Sequence, residues 1–128
     1  MQTNTPEEDR DRFRKDYLAL IPRYNGASDI REASAVLLES EALFRGRGHV
    51  GFFKRDDFCL EMGTLLARRS EICSRLGDDE KASLLMDEAL KHLRECRLAR
   101  RFALLTPQAV LKFIHELDAQ SGVKWRQA

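Results

Sequence analysis

The chain has 128 residues, of which 43% are hydrophobic and 34% charged. That length supports one hydrophobic core without disulfide or metal staples, and the composition is that of a folded helical protein, not of a disordered one. A net charge of +1 provides no global field that would draw the chain to nucleic acid or to a membrane.

Apolar residues recur at helical spacing and no segment alternates for long, so every predicted element is a helix. The first is predicted from Thr5-Pro6-Glu7. Thr5 serves as cap, Pro6 suits the first turn, and Glu7, Glu8 and Asp9 sit where the helix dipole favours anions. Its stripe is Phe13, Tyr17, Leu20 and Ile21, and Pro22 followed by Asn25-Gly26 is expected to stop it. The second helix is predicted from Ser28 or Asp29, with Ile30, Ala33, Val36, Leu37, Leu43 and Phe44 on its buried face. Its expected end is the segment RGRGHVG, Arg45 to Gly51, whose glycines predict a flexible loop over 45–55.

The third helix is predicted from about Asp56 to Leu76. Phe58, Cys59, Met62, Leu65, Leu66, Ile72, Cys73 and Leu76 form its stripe, only Arg69 interrupts the period, and Gly77 closes it at the C′ position. The fourth is capped by Asp78 or Asp79. Ala82, Leu85, Met86, Ala89, Leu90, Leu93 and Cys96 recur at three and four, and nothing breaks the pattern before Leu105, which predicts a helix of about seven turns. Thr106-Pro107 opens the last helix, filled by Val110, Leu111, Phe113, Ile114 and Leu117 and ended by Gly122, with a short tail over 121–128.

The junction at Gly77 joins two long amphipathic helices by a few residues, which forces them antiparallel and into contact. Ala82 and Ala89 permit close approach of the backbones. Gly77, Ala82, Ala89 and Leu90 also stand at the spacing of a tetratricopeptide repeat, with Leu66 at its large apolar position and Ser70 at its small packing position. Residues 63–96 therefore resemble that family. They depart from it at Arg69, where the family prefers Leu, at Cys73 and Met86, where it prefers aromatics, at Asp79 in the turn, and in having no Pro after the second helix. No copy recurs at an offset of ~34 residues: Ala82 maps forward to Glu116 and Gly77 backward to Leu43. The resemblance implies an all-α fold of about five helices in one domain over 1–128. Helices one and two form one antiparallel hairpin, three and four a second, and five a cap. An irregular helical bundle is the alternative reading.

The resemblance places the inner, partner-facing surface on the third helix, at Thr64, Ala67, Glu71, Ser74 and Arg75 with Arg68 beside them. The expected function is a protein-interaction module, an adaptor, chaperone or regulatory subunit that holds a peptide or helix of another protein. Arg75 suits a bidentate contact to a carboxylate.

A second expectation rests on charge. Between Lys91 and Arg101 five basic residues stand against one acid, and Arg94, Arg97 and Arg101 fall at i, i+3 and i+7 of the predicted fourth helix, on one face. With Arg45 and Arg47 of the 45–55 loop they form a candidate contact for nucleic acid or another anion. A solvated helix face and a solvated linker are the plainer accounts of the two stretches. GRGHVG, Gly46 to Gly51, matches GxGxxG, but a helix precedes it where the dinucleotide fingerprint needs a strand.

His49, His92 and His115 sit on different predicted elements and form no metal motif. Cys59, Cys73 and Cys96 lie on apolar stripes as structural thiols, an odd number without CxxC spacing, which predicts a reducing compartment. No catalytic constellation, cofactor or metal is expected. The opening MQTNTPEEDRDRFRK lacks the apolar core of a signal peptide, and no apolar run reaches the ~20 residues of a membrane span, so the expected location is the cytoplasm. Trp125 and Phe52-Phe53 are candidate exposed anchors for a homodimer.

Overall fold

The computed structural model describes residues 5–52 and 54–127, apart from the side chains of His49 and Val50. Phe53, one of the candidate dimer anchors, lies outside the described residues. The described chain is all α-helical with one 3-10 turn and no strand. Its helices are α1 (Pro6–Gly26), α2 (Ile30–Gly51), α3 (Arg55–Arg75), α4 (Asp79–Arg94), α5 (Arg97–Arg101) and α6 (Pro107–Gln120), and the 3-10 turn spans Lys124–Arg126.

The caps are those the sequence predicts. Thr5 Oγ1 accepts from the Glu8 amide at 3.2 Å, and Thr106 Oγ1 from the Ala109 amide at 3.2 Å. Asp78 accepts from the Lys81 amide at 3.1 Å. At α2, Asp29 accepts from Glu32 N–H at 2.8 Å, while the Glu32 carboxylate reaches back to Ser28. Gly77 adopts φ of 91°, and its amide and that of Asp78 return to Ser74 and Cys73 carbonyls, the Schellman closure that stops α3.

α1 and α2 form one antiparallel pair, with Arg23 ion-paired to Glu39 at one end and Arg47 to Asp16 at the other. α3 and α4 form the second. Ser70 donates to the Ala82 carbonyl at 2.6 Å, and Arg55 pairs with Glu95 at the far end. At Gly63 the Leu93 side chain of α4 packs directly on the α3 backbone: a methyl group there would meet Leu93 Cγ at 2.6 Å. α3 is the centre, packing on α2, α4, α5 and α6. Its burial runs all round, from Met62 through Ala67 without a break, as a helix enclosed by others requires. Arg69 interrupts its apolar stripe without reaching water: it is 6% exposed and bonds Glu41 of α2 at 2.7 Å.

Four expectations need correction. Pro22 does not end α1, which continues to Gly26. Pro22 and Leu18, whose carbonyl loses its partner, both lie on the water-facing side, where solvent can take the freed group. Second, residues 45–51 are the last turns of α2, not a loop. Two of their glycines, Gly48 and Gly51, are packing sites. A methyl group at Gly48 would lie 2.4 Å from Phe58 Cε2, and one at Gly51 only 2.0 Å from Phe13 Cδ1. Phe13, Tyr17, Phe44, Phe52 and Phe58 close over this end, with neighbouring ring centroids from 5.4 Å, Phe13 to Phe52, to 6.3 Å, Tyr17 to Phe52. That cluster outweighs the helical cost of glycine, about 1 kcal/mol each.

Third, α4 stops at Arg94 instead of running to Leu105. α4 pairs antiparallel with α3, and by residue 96 it has reached the first turn of α3, where Cys96 Sγ donates to the Asp56 carbonyl at 3.4 Å. With no partner beyond, the chain folds over as short α5. Ala103 turns it back at φ of 57° so that Leu104, 3% exposed, enters the core. Fourth, residues 121–127 are no loose tail. Val123 and Trp125 are 1% and 4% exposed. Trp125 and the half-buried Phe52 are therefore core residues, not exposed dimer anchors.

Candidate binding cleft

α1 and α3 pack on α2, α6 packs on α3, and the four helices line an open cleft of about 390 Å³. Leu20 and Ile21 of α1, Leu60 and Leu65 of α3 and Phe113 and Leu117 of α6 make its walls, and Leu37 and Phe44 of α2 its floor. Each helix adds polar groups at fixed places. Tyr17 OH donates to Glu61 Oε2 at 2.8 Å. Tyr24 OH donates to Asp118 Oδ2 at 2.6 Å, while Arg68 Nε and Nη2 donate to Asp118 Oδ1 at 3.1 and 3.0 Å. The hydroxyls of Ser40 and Thr64 turn back to carbonyls of their own helices.

Behind the cleft the 3-10 turn locks this arrangement. Arg126 Nε donates to Asp118 Oδ2 at 2.7 Å, and its Nη1 and Nη2 donate to the two oxygens of Glu71 at 3.0 and 2.7 Å. His115 Nε2 lies 2.7 Å from Glu71 Oε2. Two guanidinium groups lie against the Trp125 ring, Arg75 at 5.3 Å and Arg126 at 4.4 Å from its centroid. Burial alone would raise both carboxyl groups. Arg126 and His115 outweigh it at Glu71, and Arg68, Tyr24 and Arg126 outweigh it at Asp118, so both are held below the ordinary carboxylate range. Burial pushes Tyr24 up to about 12 and Tyr17 higher still, where Glu61 adds to the effect.

The residues expected on the inner face of α3 are divided between two places. Thr64 and Arg68 line the cleft. Glu71, Ser74 and Arg75 line a separate hollow between α3, α4 and the start of α6, with Met86, Pro107 and Leu111. Ala67 is fully buried and faces neither. The separation arises because α6 packs across α3, with Asp118 against Arg68 and His115 against Glu71. Arg75 is occupied by Trp125 and by Glu71, and Ser74 donates to Asp79 at 3.3 Å.

The basic candidates are also redistributed. Arg45 pairs with Glu88 at 2.9 Å and with Glu41 at 3.4 Å, and Arg47 pairs with Asp16. Arg94 is exposed at the end of α4, while Arg97 and Arg101 are exposed on α5. The break at Glu95-Cys96 means that the three do not share one continuous helical face.

Sequence reasoning missed Tyr24, Glu61, Asp118 and Arg126 as members of the site. Two signals were present: Tyr17 and Tyr24, and Glu61 and Arg68, each stand seven residues apart, the spacing that puts two residues on one helical face. Asp118 beside Ile114 and Leu117 is a charge on the edge of an apolar stripe. Nothing local marks Arg126. No protein-family model, curated protein or solved structure matches the chain. Among the described residues no group of three or more His, Cys, Asp or Glu side chains is placed to hold a metal ion, and no helix is long and apolar enough to cross a membrane.

Proposed function

We propose that the chain is a protein-interaction module of tetratricopeptide-like helical hairpins that holds an apolar peptide or helix of a partner protein in the α1–α3–α6 cleft. As an adaptor, chaperone or regulatory subunit it would act by binding alone. The observation that carries this reading is the cleft itself: about 390 Å³, open, walled by leucine, isoleucine and aromatic rings, with its polar groups fixed by hydrogen bonds. Recognition pockets of roughly 300–1,000 Å³ have this make-up, and the volume suits a few anchoring side chains of a docked helix. α3, to which the resemblance assigns the inner surface, supplies one wall.

The test is a photo-crosslinking residue introduced at Ile21, on the cleft wall, or at Leu84, 65% exposed on α4. A specific adduct from position 21 and none from 84 is expected. The captured protein, once purified, should bind Leu117→Arg at least about tenfold more weakly than the parent, with an unchanged melting temperature. Equal affinity for parent and variant removes the cleft assignment.

One observation favours a second reading, contact with nucleic acid. Arg94, Arg97, Arg100 and Arg101 are exposed and no acid pairs with them among the described residues, whereas Arg45 and Arg47 are neutralised within the fold. Retention on DNA or RNA that weakens with salt, and weakens further in Arg97→Ala/Arg101→Ala, supports it. Absence of retention at low salt removes it.

A further inference from the structure

We infer that the group seated in the cleft is cationic: a lysine or arginine side chain of the partner, carried among apolar residues and held between Glu61 and the aromatic rings of Tyr17 and Phe113. The inference rests on the cleft being the binding site and adds the chemistry of its occupant.

The charges around the cleft are not equally satisfied. Asp118, only 2% exposed, receives Arg68, Arg126 and the Tyr24 hydroxyl. Arg68 donates through Nε and Nη2 to Asp118, so that cation is already compensated. Glu61 is different. It lines the same cleft and is half-buried, its Oε2 accepts from Tyr17, and neither an ion pair nor a partner for Oε1 is present among the described residues. Arg68 stands two turns along the same face of α3 but directs its hydrogen bonds to Asp118, so Glu61 has no ion pair of its own. The position is nevertheless held firmly, because the Tyr17 ring that bonds it is packed on Phe13 and Phe44 at 6.2 and 5.5 Å. A cation entering the cleft would meet a carboxylate that makes no ion pair and aromatic walls together, the pairing that recognises ammonium and guanidinium groups. The cleft already displays that chemistry once: the Arg68 guanidinium lies 5.7 Å from the centroid of the Tyr24 ring. An anion gains no comparable partner, and a lone carboxylate does not make a metal site.

The experiment uses three probes of one shape, n-hexylammonium, n-hexanol and n-hexanoate, titrated at constant ionic strength into the ¹⁵N-labelled chain. Hexylammonium is expected to shift amide signals of residues 17–24 and 60–68 and to bind about tenfold more tightly than hexanol, with hexanoate weakest. Glu61→Gln keeps an acceptor for the Tyr17 hydroxyl and removes the charge, and hexylammonium should then bind no better than hexanol. If hexanol matches hexylammonium on the parent, or if Glu61→Gln retains the preference, the inference is overturned while the cleft stands as an apolar binding site. If no probe moves the cleft signals, the cleft takes no apolar group, and the inference falls together with the reading beneath it.

Discussion

Arg126 Nη2 lies 2.7 Å from Glu71 Oε1, a contact that bridges 55 residues of sequence and pins the 3-10 turn to the C-terminal part of α3. Both side chains are largely buried, at 13% and 9% exposed. Arg126→Ala leaves Glu71 and Asp118 without their shared cation, and removing one member of a buried pair costs about 3–5 kcal/mol. Urea unfolding should show a loss of that order. A change below about 1 kcal/mol would mean that the turn is not a structural clamp.

Acid should unfold the chain through the same cluster. Glu71 and Asp118 are depressed in the folded state, so the stability they contribute is fully present above the ordinary carboxylate range. It is lost as pH falls through their lowered folded values. The loss therefore begins near about pH 4 and deepens below it. Asp118→Asn is expected to be less stable at pH 7 but to show a flatter decline below pH 4. Denaturant midpoints across pH 2–7 measure both.

The glycines of α2 should respond in opposite directions. Nothing lies within 4 Å of a methyl group built at Gly46, whereas one at Gly51 would strike the Phe13 ring, which Phe44 and Phe52 hold in place. Gly46→Ala should stabilise by up to about 1 kcal/mol, and Gly51→Ala should destabilise by roughly 1–3 kcal/mol. Thermal melts of the pair decide this, and stabilisation by both would contradict the packing described for this end.

Arg69 and Glu41 form a buried pair at 2.7 Å, with side chains 7% and 16% exposed. Arg69→Ala should cost about 3–5 kcal/mol, while Arg69→Met with Glu41→Met should recover most of the loss, because the expense lies in stranding one charge. A double variant no more stable than the single would show that this pair is a net source of stability.

The element types and most helix starts were legible because caps and the apolar period are local. Thr5, Asp78 and Thr106 announce their helices, and Gly77 announces its turn. The errors arose where a distant contact decides a local conformation. Gly48 and Gly51 read as loop residues until Phe58 and Phe13 are placed against them. The pattern from Ala82 to Leu105 reads as one helix, because the point at which α3 begins beside it is invisible in the α4 sequence. The site was half legible for the same reason. Thr64 and Arg68 are placed by the repeat resemblance of residues 63–96, but Asp118 and Arg126 belong to it only through packing of α6 and of residues 123–126 on α3.

The central position of α3 has a consequence for how the molecule opens. Any other helix can fray while α3 stays covered by the rest, but α3 loses its cover only when several neighbours separate at once. Its amides, from Met62 to Ile72, should therefore be the last to exchange with deuterated solvent, at a rate set by global unfolding, while α5 exchanges through local opening. The cleft is bounded by both kinds of structure: Thr64 and Arg68 stand on the slowest part of the molecule, and α1 and α6 form walls that can move against it to admit a ligand.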